Sequence, residues 1–575
     1  MRRIRIGLLI AGMTIGLLSG CAKQQVTTEA VQEETNVENS ITEEASEENT
    51  ESQPEEAVVT PPSEEIAIIY TNDVHCSISD NIGYSGLAAY KKELEAAGKQ
   101  VLLVDAGDSI QGGVIGALSS GEYPMEIMND IGYDVATIGN HEFDYGMEQF
   151  MKLKDEAKFP YVCCNFMDLT TNQRVFDAYQ MFTFGDTEVA FVGITTPKTI
   201  TSSTPKYFQN EAGEFVYGFC QDESGQKLYD TVQSAIDDAR NAGADYVIGL
   251  AHLGVEATTS PWMSTEVIAN TTGMDALIDG HSHTVMPEEN VKNQDGKPVI
   301  LTQTGTKLAN IGTLTIDTTG KLSTSLTDNS YETKDADTDA YIAGITEQFD
   351  EQLSKVIGTS EVELVVNDPE TDVRIVRTAE TNLGDFCADA YLAVTGADIA
   401  MSNGGGIRAA VPAGEITYGD IINVHPFGNA ICVIEATGQQ ILDALELGVM
   451  DMPEESGSFQ QVAGITFEIH PDIPSSVKLD ENEMFVSVDG EYRVQHVKVG
   501  EEELDLKKTY TLAGNNYSLM NGGGGLSMFQ GNKVVQDSIL VDAEALIQYI
   551  QEDLGGVIGQ DYAEPYGQER IVAVD

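Results

Sequence analysis

From Ile66 to about Ile316 short apolar runs alternate with amphipathic stretches: IAIIYTND, then YSGLAAYKKELEAAG, then KQVLLVDAGD. The runs have the length and β-type composition of buried strands, and the stretch between them reads as helical. Such alternation predicts α/β layers around a central sheet. Each apolar run ends in the same punctuation. IAIIYTNDVH closes on Asp73 and His75, VLLVDAGDS on Asp105 and Asp108, and DVATIGNHEFD on Asn140, His141 and Asp144. YVIGLAHLG closes on His252, and DALIDGHSH on Asp279, His281 and His283. Ligands of open α/β sheets gather outside the strand ends, so these five loops are expected to converge.

The texture changes after DAYIAGITEQFDEQLSKV, an acidic amphipathic stretch that reads as an interdomain helix. From about Ile357, Gly-rich turns stand where the first half carries ligand-type residues, in RIVRTAETNLGDFCADA, MSNGGGIRAA, NVHPFGNAI and NNYSLMNGGGG. A chain of 575 residues is too long for one core. The expected segments are a signal over 1–20, an acidic linker over 21–64, an α/β domain over 65–334, a hinge helix over 335–357 and a second α/β domain over 358–575.

The N-terminus carries Arg2, Arg3 and Arg5 before IGLLIAGMTIGLL, a run too short to span a bilayer comfortably. It ends in LSGC, which resembles the lipobox of bacterial lipoproteins. That resemblance implies cleavage before Cys21, lipidation of Cys21, and a mature protein anchored to the bacterial cell membrane outside the cytoplasm. The following Glu, Thr, Gln and Ser residues hold almost no large apolar side chain, so this stretch reads as a disordered stalk. Net charge is −62. A field of that sign repels nucleic acid and anionic lipid within about 8 Å of the surface, so any phosphate site needs its own local cations. Beyond Cys21, the cysteines Cys76, Cys163, Cys164, Cys220, Cys387 and Cys432 lack a zinc-type spacing. Cys163 and Cys164 are expected on opposite faces of a strand, as small buried residues.

Only eight histidines occur, and all five in the first half stand at those strand ends. Asp73 and His75, like His281 and His283, are two residues apart, so extended backbone would project each pair to one side, as a chelate. Imidazole, carboxylate and amide oxygen without a thiolate pair suit Zn²⁺, Mn²⁺ or Fe²⁺. There are too many ligands for one four-coordinate ion, which points to two divalent metal ions.

NDVH, GDSIQGG, GNHEFD, AHLG and DGHSHT, in this order, resemble the signature blocks of the calcineurin-like metallophosphoesterases, in particular the secreted 5′-nucleotidase branch. The resemblance implies a four-layer α/β–β/α sandwich. It also implies that Asp73, His75, Asp108 and His283 hold one metal and Asp108, Asn140, His252 and His281 the other, with Asp108 as the bridge. His141 would face the substrate and Asp144 would orient its imidazole. The implied chemistry is in-line attack on phosphorus by hydroxide held between the metals, with His141 stabilising developing charge. Glu142 and Asp105 read as supporting or turn residues. Cys76 departs from the small residue usual after the first metal histidine, and a buried neutral thiol is expected there.

The later blocks resemble the C-terminal nucleotide-binding domain of the same family, also α/β. Arg374, Arg377 and Arg408 form the cationic cluster in a chain poor in cations, and guanidinium forks match phosphate oxygens. By the resemblance Arg377, Asn403 and Arg408 grip phosphate and sugar, and Phe427 and Tyr517 sandwich the base. Where the family has Gly-Asp-Gly for the ribose hydroxyls, this chain has Gly523, Gly524 and Gly525. The expected activity is nucleoside 5′-phosphate hydrolysis. The alternatives are a 2′,3′-cyclic-nucleotide phosphodiesterase, a nucleotide-sugar pyrophosphatase, or a surface lipoprotein that binds nucleotides without turnover or uses the fold inertly as a scaffold.

Overall fold

The computed structural model describes residues 60–574. The expected signal, Cys21 and most of the acidic linker lie outside the described residues. Among the described residues no helix is long and apolar enough to cross a membrane. Thr60 is already tied to the folded part, its N–H donating to the Asp245 carboxylate at 3.0 Å.

The apolar runs of the first half build two six-stranded sheets. In one, Ile66–Thr71, Gln100–Asp105, Val135–Thr137 and Tyr161–Val162 run parallel, and Asn310–Ile316 and Leu322–Asp328 continue it antiparallel beyond Ile66–Thr71. In the other, Thr187–Thr195, Tyr246–His252, Ala276–Ile278 and Pro298–Thr304 run parallel, flanked antiparallel by Tyr179–Phe184 and Val285–Lys292. Alternate residues explain the stacking. Ile66, Ile68 and Tyr70 of one sheet meet Val189, Phe191, Ile248 and Leu250 of the other in a shared apolar layer. The residues between them face outward: Ile69 and Leu103 pack on helices Gly83–Ala96 and Glu122–Ile131, and Val192 and Val247 on helix Gln226–Asn241. Strands covered on both faces read as unbroken apolar runs, which is the pattern of this sequence. The result is the four-layer α/β–β/α sandwich. Cys163 and Cys164 are fully buried in the two different outer layers, just past the end of strand Tyr161–Val162 and not within a strand as expected.

The acidic amphipathic stretch is the helix Ala336–Leu353, capped where Asp335 accepts the Thr338 N–H at 3.0 Å. Its Ile342 and Ile345 pack on the N-terminal helices, and the next strand, Val356–Ser360, belongs to the C-terminal half. There, a five-stranded sheet runs in the order Gln460–Ala463, Ile399–Asn403, Thr509–Asn515, Ile431–Thr437, Val534–Gln536. Helix Asn382–Thr395 covers one face and helix Gly438–Gly448 the other. A four-stranded sheet, Glu502–Glu503, Val494–Val499, Ile465–Ile469 and Ile571–Ala573, adjoins it.

Candidate active site

The five strand ends converge as expected. Asp73 Oδ1 lies 3.3 Å from His283 Nε2 and 3.9 Å from His252 Nε2. One oxygen of Asp108, Oδ2, lies 3.1 Å from His252 Nε2 and 3.9 Å from His75 Nε2. Asn140 Oδ1 is 2.8 Å from His281 Nδ1. His141 opens a short 3₁₀ turn, and its Nδ1 is 2.5 Å from Oδ2 of Asp144, which closes that turn; Ser203 donates to the other Asp144 oxygen at 3.2 Å.

The route by which the paired ligands reach the site differs from the extended one expected. Asp73, His75, Asp108, His281 and His283 all have positive φ, between 48° and 78°. After strand Ile66–Thr71 the chain turns through left-handed Asp73 and His75, which brings their side chains together beside His283, whereas His281 and His283 part, His281 toward Asn140 and His283 toward Asp73. The left-handed conformation costs an L-residue roughly 1–2 kcal/mol, and Asp and His are among the types that tolerate it best.

Buried carboxylates hold these loops. Glu142 is fully buried and accepts the backbone N–H groups of Gly139 at 2.7 Å, Asp108 at 2.9 Å and Ser109 at 2.9 Å. Asp105 accepts from Thr71 Oγ1 at 2.6 Å and from the Gly107 N–H at 3.0 Å. Asp279 accepts the Leu253 N–H at 2.9 Å and a bond from Ser264, fixing the turn after His252; burial raises its pKa to about 6. His252 Nδ1 meets the Ala106 carbonyl at 2.8 Å, which turns Nε2 toward Asp108. Cys76 is buried with its thiol pushed well above the usual range by burial, the neutral state expected.

The donor set fits divalent metal ions. His75 Nε2 and His283 Nε2 face each other at 3.1 Å, and buried His252 Nε2 faces Asp108 Oδ2 at 3.1 Å. Neutral imidazole lone pairs aimed at one another are repulsive unless a cation or proton lies between them. Burial lowers the pKa of His75, His281 and His283, leaving the rings neutral as a metal requires. Burial also opposes charge on His252, yet Asp108 and Asp73 raise it to about 10, a field that attracts cations to this point. His141 differs. Against the effect of burial, Asp144 and Asp108 raise its pKa, so it is suited to donate a proton.

The C-terminal half closes the cavity. Asp108, His141, Arg377, Asn403, Arg408, Phe427 and Tyr517 line one space. The Phe427 ring lies 5.8 Å from that of His141, and the Arg408 guanidinium 5.7 Å from the Phe427 centroid. Arg377 Nε is buried without a hydrogen-bond partner among the described residues. Burial and the neighbouring Arg374 and Arg408 lower the pKa of Arg377 well below its usual value, which marks a cluster in want of an anion. Arg374 is instead paired with Glu455, its Nε donating at 2.7 Å. Tyr517 donates its hydroxyl to the Thr201 carbonyl of the N-terminal half at 2.9 Å. Gly524, at φ +64°, has no room for a simple replacement: an added Cβ would lie 2.3 Å from Ser458 Oγ, which itself donates to the Gly524 carbonyl at 2.8 Å. Asn429, Lys198, Glu256 and Ser458 also line the cavity and were not singled out by sequence. Asn429 stands two residues past Phe427 in a block already notable; the other three carry no local signal.

Comparison with known proteins agrees with this geometry. The model of the calcineurin-like phosphoesterases matches residues 66–285, and that of the 5′-nucleotidase C-terminal domain matches residues 356–531. The chain is 28% identical over 539 residues to a 5′-nucleotidase of Vibrio cholerae, covering 84% of this chain and 90% of that one. It is 28% identical to the protein UshA of Escherichia coli over 542 residues, covering 85% and 91%. Among solved structures, a 5′-nucleotidase precursor of Thermus thermophilus superposes with a TM-score of 0.73 at 27% identity, covering 89% of this chain and 99% of the other. The Thermus sulfate thiohydrolase SoxB, at 18% identity and TM-score 0.66, shares the fold. The chain belongs to the 5′-nucleotidase family, a calcineurin-like phosphoesterase domain joined to a 5′-nucleotidase C-terminal domain, and is a metal-dependent phosphoester hydrolase.

Proposed function

We propose that this protein is an extracytoplasmic 5′-nucleotidase, anchored through Cys21, that splits nucleoside 5′-phosphates into nucleoside and phosphate. The observation that carries this reading is the single cavity in which the Asp108 and His141 cluster meets Arg377, Arg408, Phe427 and Tyr517. Asp73, His75, Asp108 and His283 would hold one divalent ion and Asp108, Asn140, His252 and His281 a second, of the Zn²⁺ or Mn²⁺ class. The two-faced position of Asp108 Oδ2 supports its role as bridge. When bound, such ions supply an activated water and neutralise charge on the phosphoryl oxygens. Asp144 keeps the His141 ring oriented and favours its protonated form, so that His141 hands a proton or a hydrogen bond to the oxygen on which charge develops. Arg377, Asn403 and Arg408 take phosphate and sugar, and Phe427 and Tyr517 take the faces of the base. Helix 336–353 is the hinge between a metal domain over 65–334 and a nucleotide domain over 358–575.

A second reading, hydrolysis of 2′,3′-cyclic nucleotides or nucleotide sugars, draws support from Ser458. Its hydroxyl fills the space that a carboxylate side chain at position 524 would need to reach the ribose hydroxyls, which relaxes the demand for a free 2′,3′-diol. The deciding experiment measures phosphate release from 5′-nucleotides, cyclic nucleotides and nucleotide sugars by metal-reconstituted protein, the cyclic and sugar substrates being assayed with added phosphatase. The highest kcat/KM is expected on 5′-nucleotides, and Asp108→Asn should lose both ions and hydrolysis. Normal turnover with full metal in Asp108→Asn, or no turnover of any nucleotide, would overturn the proposal.

A further inference from the structure

Six of the eight histidines are accounted for, five at the cavity and His425 beneath the Gly404–Gly406 turn, where its Nδ1 meets the Gly406 carbonyl. The other two, His470 and His496, come together on the four-stranded sheet. Their Nε2 atoms lie 3.7 and 3.9 Å from the same oxygen, Oε2 of Glu468.

This convergence is built by the backbone. Glu468 and His470 are two residues apart at the end of strand Ile465–Ile469, so they share its polar face. Strand Val494–Val499 pairs antiparallel with it, Glu468 opposite Gln495 and Thr466 opposite Lys498, which leaves one extra residue in the second strand. By regular alternation, a neighbour of Gln495 would point away from Glu468. The extra residue falls beside His496, which adopts φ +51°. A bulge of this kind re-aims a side chain, here toward Glu468. His470 is pinned by its own N–H, which donates to the Arg493 carbonyl at 2.8 Å. Its Nε2 is screened from water and makes no hydrogen bond among the described residues. The His496 side chain is 63% exposed and free to adjust.

We propose that Glu468, His470 and His496 form a second metal site, separate from the hydrolytic centre, for a divalent transition ion of the Zn²⁺ class. Ligands held about 2.1 Å from one tetrahedral ion stand roughly 3.4 Å apart, so the two separations from Glu468 close by about half an ångström, while the gap between the two imidazole nitrogens, wider than 4.8 Å, closes by a swing of the exposed His496 side chain. Two imidazoles and one carboxylate select Zn²⁺, Ni²⁺ or Cu²⁺ over Mg²⁺ or Ca²⁺. Water completes the shell on the exposed side, which sets the affinity in the micromolar range rather than the far tighter range of closed structural sites. The ion would clip the two strands together at the bulge.

The test counts metal on the full-length holoenzyme. After equilibration with excess Zn²⁺ and gel filtration in micromolar free Zn²⁺, the parent should carry one equivalent more than the His470→Gln/His496→Gln variant, with equal phosphate release once both are reconstituted. His496 is exposed, so His496→Gln removes no core contact and serves as the second variant, its melting temperature measured beside that of the parent because the position holds φ +51°. With Cu²⁺ as probe, the parent should show an extra paramagnetic signal split by imidazole nitrogen, and His496→Gln should lose it. Equal metal content in parent and double variant, or a copper signal unchanged in His496→Gln, would reduce the cluster to ordinary imidazole–carboxylate contacts and overturn the proposal.

Discussion

Replacing Glu142 by Gln changes one oxygen into an amide nitrogen at the point where three loops meet. The carboxylate takes the Gly139 and Asp108 N–H groups on Oε2 and the Ser109 N–H on Oε1. Turned the better way, Gln keeps the first two bonds and sets its NH₂ against the Ser109 N–H. One charge-assisted bond, about 1.5–3 kcal/mol, is lost and a buried donor is left bare. Part of this returns, because burial and the Asp108 charge already raise the Glu142 pKa and so make the charged form costly to keep. A net loss of about 2 kcal/mol follows. It falls on the loops that carry Asp108, Asn140 and His141, so metal affinity should drop by roughly 10- to 100-fold while kcat at saturating metal stays near the parent value. The assay is hydrolysis across a series of buffered free-metal concentrations, with melting of the metal-stripped protein measured alongside. A Glu142→Gln variant that binds metal as tightly as the parent and melts at the same temperature would refute the argument. Activity that no metal concentration restores would show instead that Glu142 acts in the chemical step.

His141→Asn should retain metal, measured by elemental analysis, yet lower kcat by about two orders of magnitude, since it removes stabilisation of the transition state. Phe427→Ala with Tyr517→Ala should raise KM for nucleotides, each stacking face contributing about 1–3 kcal/mol, and leave slow hydrolysis of a base-free phosphodiester nearly unchanged; equal losses on both would make the rings packing elements. Gly524→Asp alone should weaken nucleotide binding, because Ser458 Oγ stands 2.3 Å from the new Cβ. Only Ser458→Gly with Gly524→Asp should favour ribonucleotides over 2′,3′-dideoxynucleotides, read as a ratio of KM values. Burial lowers the pKa of His425 to about 4. The unfolded ring takes a proton near 6.5, so His425 contributes stability that is full above that pH and is lost as pH falls toward about 4, at most about 3 kcal/mol. Chemical denaturation of the parent and of His425→Asn should therefore diverge in pH slope within that window, and parallel slopes would contradict the assignment.

The convergence of the Asp and His residues was legible because ligand-type residues interrupt apolar strands, and strand ends converge in this architecture whatever the loops do in detail. That Arg377, Asn403, Phe427 and Tyr517 line the same cavity was legible only through block resemblance, since they have no common spacing. What the sequence hid was pairwise and distant. Nothing local ties Arg374 to Glu455, Ser458 to Gly524 or Tyr517 to Thr201, because each pair lies on separate elements. Loop conformation was hidden for another reason. Left-handed residues are usually announced by glycine, and here Asp73, His75, Asp108, His281 and His283 occupy that conformation. Spacing by two therefore anticipated the meeting of Asp73 and His75 through the wrong backbone, and failed for His281 and His283, which reach Asn140 and Asp73 instead.

In the proposed role as ligands those five residues answer to two requirements at once, a donor atom and a tolerance for left-handed backbone, and Asp, Asn and His are the side chains that meet both. Alanine meets neither. An alanine scan of this centre would thus mix the loss of a ligand with the relaxation of a turn, and would overstate what each donor contributes to metal affinity. Asparagine in place of Asp73 or Asp108 keeps the turn while removing the charge and one acceptor oxygen, which makes it the cleaner probe. The same coupling narrows what drift can accept here: a replacement has to be able to ligate and to turn, so the loops have few neighbours in sequence space even where the ions themselves are interchangeable.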